Sequence, residues 1–176
     1  MCFGLPAMLV LLFYLVGGIT PFGDTTFLSM DLYSQYFPMI TSLREGLRQG
    51  DLIYSFSAGL GFNRLAQGAY YTGSIFWYVL ALLPEALMIP VFHLMLALKF
   101  GLGGWTFSLY LRRRYGEELP LCVGFSMAYA LCGYLLAYIQ QIMWTDAVIL
   151  LPVVMLGLWQ LLEEKRPLTY YLALSA

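Results

Sequence analysis

The chain alternates long apolar runs with short polar breaks, and one polar stretch is much longer than the others. Phe3–Ile19 is apolar throughout and is closed by Gly17, Gly18 and Pro21, which predicts a spanning helix at the short end of the useful range. Residues 20–85 then form an extended connection. Within it Tyr33, Tyr36, Ile40, Leu43 and Leu47 recur at steps of three and four. Ser34, Gln35, Thr41, Ser42, Arg44, Glu45, Arg48 and Gln49 fall on the opposite face. This spacing predicts an amphipathic helix over 31–49 lying along a surface, kinked by Pro38 and ended by Gly50. Ser55–Tyr71 is rich in glycine and aromatics and reads as an ordered loop with Arg64 as its charged residue. The apolar run 71–83 stops early at Pro84, which predicts an interfacial or re-entrant helix instead of a crossing one.

Beyond the loop the pattern becomes regular. Spans are expected at 86–111, 119–139 and 147–162, with another beginning at 169–176. Arg112–Arg114 and Lys165–Arg166 follow two of these spans, and short basic loops favour the cytoplasmic side. Tracing the chain back from them puts 140–146 and the whole 20–85 connection on the external face. Asp24, Asp31 and Asp146 then share that face. The run that opens at 169 has no polar stop, and the first span has no basic flank, so the chain is expected to be a fragment of a longer protein. A cleaved signal peptide is the alternative for 3–19, but neither a basic start nor a small-x-small cleavage pattern is present.

Composition agrees with the pattern. The 176 residues are 61% hydrophobic and 11% charged, against about 45–50% and about 25% in a soluble domain. With a net charge of −1 there is no nucleic-acid footprint. Cys2, Cys122 and Cys132 have no metal-ligand spacing and read as small core residues. The fold class is all-α: a polytopic transmembrane bundle with an external juxtamembrane helix.

Candidate chemistry is sparse. Asp31 opens the amphipathic helix, so it is either a helix-end carboxylate serving free N–H groups or a catalytic carboxylate presented there. Asp24 follows Gly23 and reads as a turn residue, and Asp146 follows Thr145, where either residue could cap a helix. Lys99 lies near the middle of a span, where charge is costly and is usually paired or functional, with snorkelling as the alternative. His93 on the same span reads as a hydrogen-bonded buried histidine before it reads as a ligand. Tyr70, Tyr71, Trp77 and Trp144 are interfacial anchors by default, although such rings also suit sugar stacking.

The runs MDLYSQYFPMI, YSFSAGLGFN, GAYY, LKFGLGGWTFSLYLRRR, FSMAYALCGYLLAY and IMWTDAVILLPVVMLGL, in this order, resemble the YfhO-type bacterial membrane proteins. The likeness runs from about Gly23 to Leu162. It departs at Ser74-Ile75-Phe76-Trp77, where the family tends towards Ser-Pro-Phe-Asn. The resemblance implies a multi-pass protein of the bacterial cell membrane with a GT-C-type fold. It implies transfer of a sugar from a polyprenyl-phosphate donor to a cell-envelope polymer such as teichoic acid. In that class an acidic residue on the first external loop is catalytic, which Asp31 matches, and a second often comes from the next external loop, where Asp146 sits. Many members need a divalent cation, for which Asp31 and Asp146 would be the carboxylates. Arg64, Lys99 and Arg44 could supply positive charge to the departing lipid phosphate. Tyr70, Tyr71 and Trp144 could line the substrate. A lipid-linked saccharide flippase is the competing reading, and a non-catalytic scaffold is a third.

Overall fold

The structure, a computed structural model, describes residues 1–57, 60–116, 119–139 and 141–175. Parts of the expected loops 112–118 and 140–146, and the last position of 169–176, lie outside the described residues. In chain order the helices are α1 (Gly4–Val16), α2 (Phe37–Gln49), α3 (Arg64–Gln67), α4 (Ile75–Leu82), α5 (Glu85–Tyr115), α6 (Leu119–Ala130), α7 (Gly133–Ala137), α8 (Ile142–Glu163) and α9 (Leu168–Ser175). Wider π-turns occupy Leu32–Tyr36 and Gly68–Thr72. The short strands β1 (Tyr54–Ser55) and β2 (Phe62–Asn63) pair antiparallel, with Tyr54 opposite Asn63.

This is an all-α helical membrane protein. Among the described residues, Glu85–Tyr115, Pro120–Ala137 and Ile142–Glu163 are long and apolar enough to cross a bilayer. α1 is apolar but has 13 residues, a rise of about 20 Å at 1.5 Å per residue. α4 has 8, well short of the ~20 that a span needs. α8 starts earlier than the expected 147, so Trp144, Thr145 and Asp146 are helical, in place of the polar turn expected there.

The chain forms two compact units. The first comprises Met1–Val16, Leu96–Ile139 and Trp144–Ala176. Here α5 offers a glycine face. A methyl group on Gly101 would meet the Phe3 carbonyl oxygen at 2.9 Å, and one on Gly104 would run into the Cys2 carbonyl and Pro6. Small residues at this spacing let backbones approach in a setting where helices gain little from excluding water. Phe107 stacks on Tyr129 with centroids 4.4 Å apart, and the Tyr129 hydroxyl donates to the Val148 carbonyl at 2.6 Å. At the basic end Arg113 pairs with Glu164 at 2.6 Å, and Arg113 and Arg114 both lie over Trp159.

The second unit comprises Gly17–Met95 and Gln140–Met143. α2 packs on α4 around Ile40, Trp77 and Leu80, all with no exposed area. Trp77, expected as an interfacial anchor, is instead a core residue stacked on Phe92 at 5.9 Å. It belongs to the stretch where the sequence departs from the family pattern, and Ser74 caps the same helix by accepting from the Phe76 N–H. Arg44 also departs from expectation. It sits on the polar face of the helical wheel yet is 8% exposed, because it reaches across to donate to the Leu83 carbonyl at 3.1 Å. The last carbonyls of α4 have no partner within the helix, and the guanidinium supplies one. His93 is fully buried and occupied at both nitrogens: Nδ1–H donates to the Ile89 carbonyl at 2.8 Å, and Nε2 accepts from the Phe27 N–H at 3.2 Å. It fastens the polar loop to α5.

Candidate active site

Asp31 lies at the start of the helical run that leads through the first π-turn into α2. Its backbone is already helical (φ −64°, ψ −28°), and its side chain makes no capping hydrogen bond. Met30, immediately before it, takes φ +47°, a conformation that costs a non-glycine residue roughly 1–2 kcal/mol. Strain of this kind persists only where the surroundings impose it, and it collects at functional positions. The π-turn has a local cause. Pro38 brings no N–H and its ring crowds the carbonyl four residues back, so the chain widens and Phe37 bonds to the Leu32 carbonyl instead.

Among the described residues the carboxylate is engaged from one side only. Asp31 Oδ1 accepts from Gln35 Nε2 at 2.9 Å, and Gln35 Oε1 accepts from the Tyr71 hydroxyl at 3.1 Å. Tyr71 meets Tyr36 at 5.6 Å and Tyr70 at 4.8 Å between ring centroids. The Tyr36 hydroxyl donates in turn to Gln141 Oε1. Burial first, then Tyr70, Asp31 and Tyr71, raise the Tyr36 phenol above its ordinary value, and the bond to Gln141 acts the other way. Tyr36 therefore stays protonated at neutral pH and donates. The result is a half-exposed carboxylate held by an amide beside three tyrosines.

The structure also joins Lys99 to Asp146. Lys99 Nζ lies 2.7 Å from Asp146 Oδ1, with the lysine side chain fully buried and the aspartate side chain 24% exposed. The lysine does not snorkel. Asp146 stands in the second turn of α8, past the free N–H groups of the helix start, so it is not a cap. Trp144 belongs to an exposed aromatic cluster with Tyr134, stacked at 6.4 Å, and Tyr138 at 6.2 Å. Arg44 faces Glu85 at 3.9 Å. Arg64 is tied to the backbone and to a serine, donating from Nη1 to the Asp51 carbonyl at 2.6 Å and from Nη2 to Ser55 Oγ at 3.0 Å. Asp24 is exposed in a tight turn closed by the Ile19–Thr25 bridge.

A divalent cation does not fit what surrounds these carboxylates. Among the described residues no group of three His, Cys, Asp or Glu side chains converges. Asp146 already faces an ammonium, and Asp31 an amide N–H. Gln35 and Gln141 are the members of the tyrosine cluster that sequence reasoning did not select. Gln35 stands four residues after Asp31, a spacing that puts the two on one helical face and could have singled it out. Gln141 carries no such signal.

The comparisons agree with this architecture. The chain matches the family model described as bacterial membrane protein YfhO over residues 1–176. No curated protein and no solved structure matches it significantly. With three helices able to cross a bilayer and a match along the whole chain, the protein belongs to the YfhO family of bacterial membrane proteins.

Proposed function

We propose that the protein is a membrane glycosyltransferase that moves a sugar from a polyprenyl-phosphate donor to a hydroxyl of a cell-envelope polymer such as a teichoic acid, on the external face. The observation that carries this reading is the state of Asp31. Its carboxylate is not used to cap its helix, it follows a strained residue, and Gln35 holds it beside Tyr36, Tyr70 and Tyr71.

The chemistry asks for little more. The acceptor oxygen attacks the anomeric carbon while the bond from that carbon to the phosphate oxygen breaks. The hydroxyl proton passes to Asp31, and the lipid phosphate departs with its electron pair. A positioned base is worth about 10²–10⁴-fold here. The phosphate is an anion as it leaves and needs positive charge, not a proton. The tyrosine rings offer faces for a pyranose and hydroxyls for its oxygens. Lys99 is the positioning residue of Asp146, the other carboxylate the sequence singles out.

The test is Asp31→Asn in the full-length protein in membranes, read as transfer of labelled sugar from a polyprenyl-phosphate donor. Asparagine preserves the size and the helix-end preference of aspartate. A loss of about 10²-fold or more at unchanged protein level is expected. Full activity would overturn the assignment and return the flippase reading to first place.

A further inference from the structure

An apolar recess of about 340 Å³ opens at the basic end of the first unit. Phe107, Leu111 and Tyr115 line it from one stripe of α5, and Leu121 and Phe125 line it from one stripe of α6. Tyr115, Leu121 and Phe125 are all more than half exposed, so the recess is open at the side. Cations adjoin it. Arg114 lies over the ring of Tyr115 at 5.6 Å and over Trp159 at 5.7 Å. Arg112 follows the lining residue Leu111 and is exposed. Among the described residues Arg113 is paired with Glu164, whereas Arg112 and Arg114 have no carboxylate within 4.0 Å. Glu117 and Glu118, next in the chain, lie outside the described residues. Both walls belong to helices long and apolar enough to cross a bilayer, so the recess is at membrane depth and the arginines stand where such a helix turns polar.

We propose that this recess is a site for an anionic phospholipid such as phosphatidylglycerol, with an acyl chain against the two stripes and the phosphate on Arg112 and Arg114. The apolar walls set the tail, and the cations set the headgroup. Contacts with ring faces do not consume the N–H donors of Arg114, which remain available to phosphate oxygens. A guanidinium meets a phosphate through two parallel hydrogen bonds, a match that an ammonium lacks. The walls alone would accept the tail of any lipid. The choice comes from charge: a zwitterionic headgroup brings its own ammonium towards the arginines, and an anionic one does not. The site stands apart from the transferase reading, because none of its residues belongs to the Asp31 cluster or to the Lys99–Asp146 pair.

The test uses full-length protein in nanodiscs that hold a trace of phosphatidylglycerol with a diazirine in its acyl chain. Illumination should place the label on peptides containing residues 107–111 and 121–125. Unlabelled phosphatidylglycerol should compete about ten-fold better than phosphatidylcholine with the same chains. Arg112→Gln together with Arg114→Gln should erase that preference. Arg114→Gln also loses two ring contacts, so Arg112→Gln alone supplies a variant that disturbs no described contact, and it should lower the preference several-fold. Leu121→Trp fills the open side of the recess and should lower labelling there at an unchanged unfolding temperature. Equal competition by the two lipids overturns the proposal. So does a preference that survives the double substitution, a label spread evenly over the spans, or labelling untouched by Leu121→Trp. Transfer activity is not the readout, so the Asp31 experiment and this one fail separately.

Discussion

The ammonium of Lys99 and the carboxylate of Asp146, on different helices and 2.7 Å apart, form an ion pair in which the lysine has no access to solvent. Removing one partner of such a pair leaves an uncompensated charge, whereas removing both charges together is far milder. Lys99→Met is expected to cost roughly 3 kcal/mol, at the lower end for a buried pair because Asp146 retains some exposure. Lys99→Met/Asp146→Asn should regain most of that stability and none of the transfer activity. Thermal unfolding of the full-length protein alongside the transfer assay checks both parts. A single mutant as stable as the parent would show the pair to be unimportant to the fold.

The tyrosine cluster yields a graded expectation. Tyr71→Phe keeps the ring contacts to Tyr36 and Tyr70 but removes the hydroxyl that orients Gln35. Activity should fall several-fold, by about the worth of one hydrogen bond at 0.5–1.5 kcal/mol. Gln35→Leu removes the amide that holds Asp31 and should fall further. An acid limb of the pH–rate profile that moves in Gln35→Leu would show the amide acting on the base. Identical profiles and rates in all three proteins would remove the cluster from the mechanism.

We propose that Arg112–Arg114 and Lys165–Arg166 lie on the cytoplasmic side. Single cysteines at Gln49 and Tyr138, both exposed, should react with an impermeant thiol reagent in intact cells lacking the native cysteines. A cysteine at Arg166 should react only after permeabilisation. Labelling of Gln49 and Tyr138 from opposite sides would overturn this orientation.

Gly46 inverts an ordinary rule. Gly→Ala inside a helix usually stabilises by about 1 kcal/mol. Here the added methyl meets the Arg64 guanidinium and the Asp51 carbonyl, so Gly46→Ala should instead destabilise by roughly 1–3 kcal/mol. Denaturant unfolding of the purified protein measures the sign.

The long elements were legible because hydrophobic periodicity is a local signal. Helix α2 and the long apolar helices after residue 85 were visible in the run and spacing of apolar residues alone, and the π-turn before α2 was not. What was not legible depends on contacts between elements. Lys99 announced that it needed a partner, yet nothing in the chain pointed to Asp146, which lies in a different helix. Arg44 falls on the polar face of its helical wheel, and only the packing of α4 on α2 buries it. Trp77 looked like an interfacial ring because the sequence cannot show that Phe92 will lie against it. Arg64 was visible as a lone charge in a glycine-rich loop, but its burial and its bonds to the Asp51 carbonyl and Ser55 were not.

Both segments that carry the tyrosines, Leu32–Tyr36 and Gly68–Thr72, are π-turns. A π-turn holds one residue more than the α-helix it interrupts, and one residue is worth about 100° of rotation. The aim of Asp31 relative to α2 is therefore a matter of angular phase, set by a single inserted position. Deleting Ser34 would swing everything before it, Asp31 included, by about that angle onto another flank while α2 keeps its seat on α4. Leu32, fully buried at the start of the same turn, would leave its place in the core with it, and the carboxylate would face away from its tyrosines.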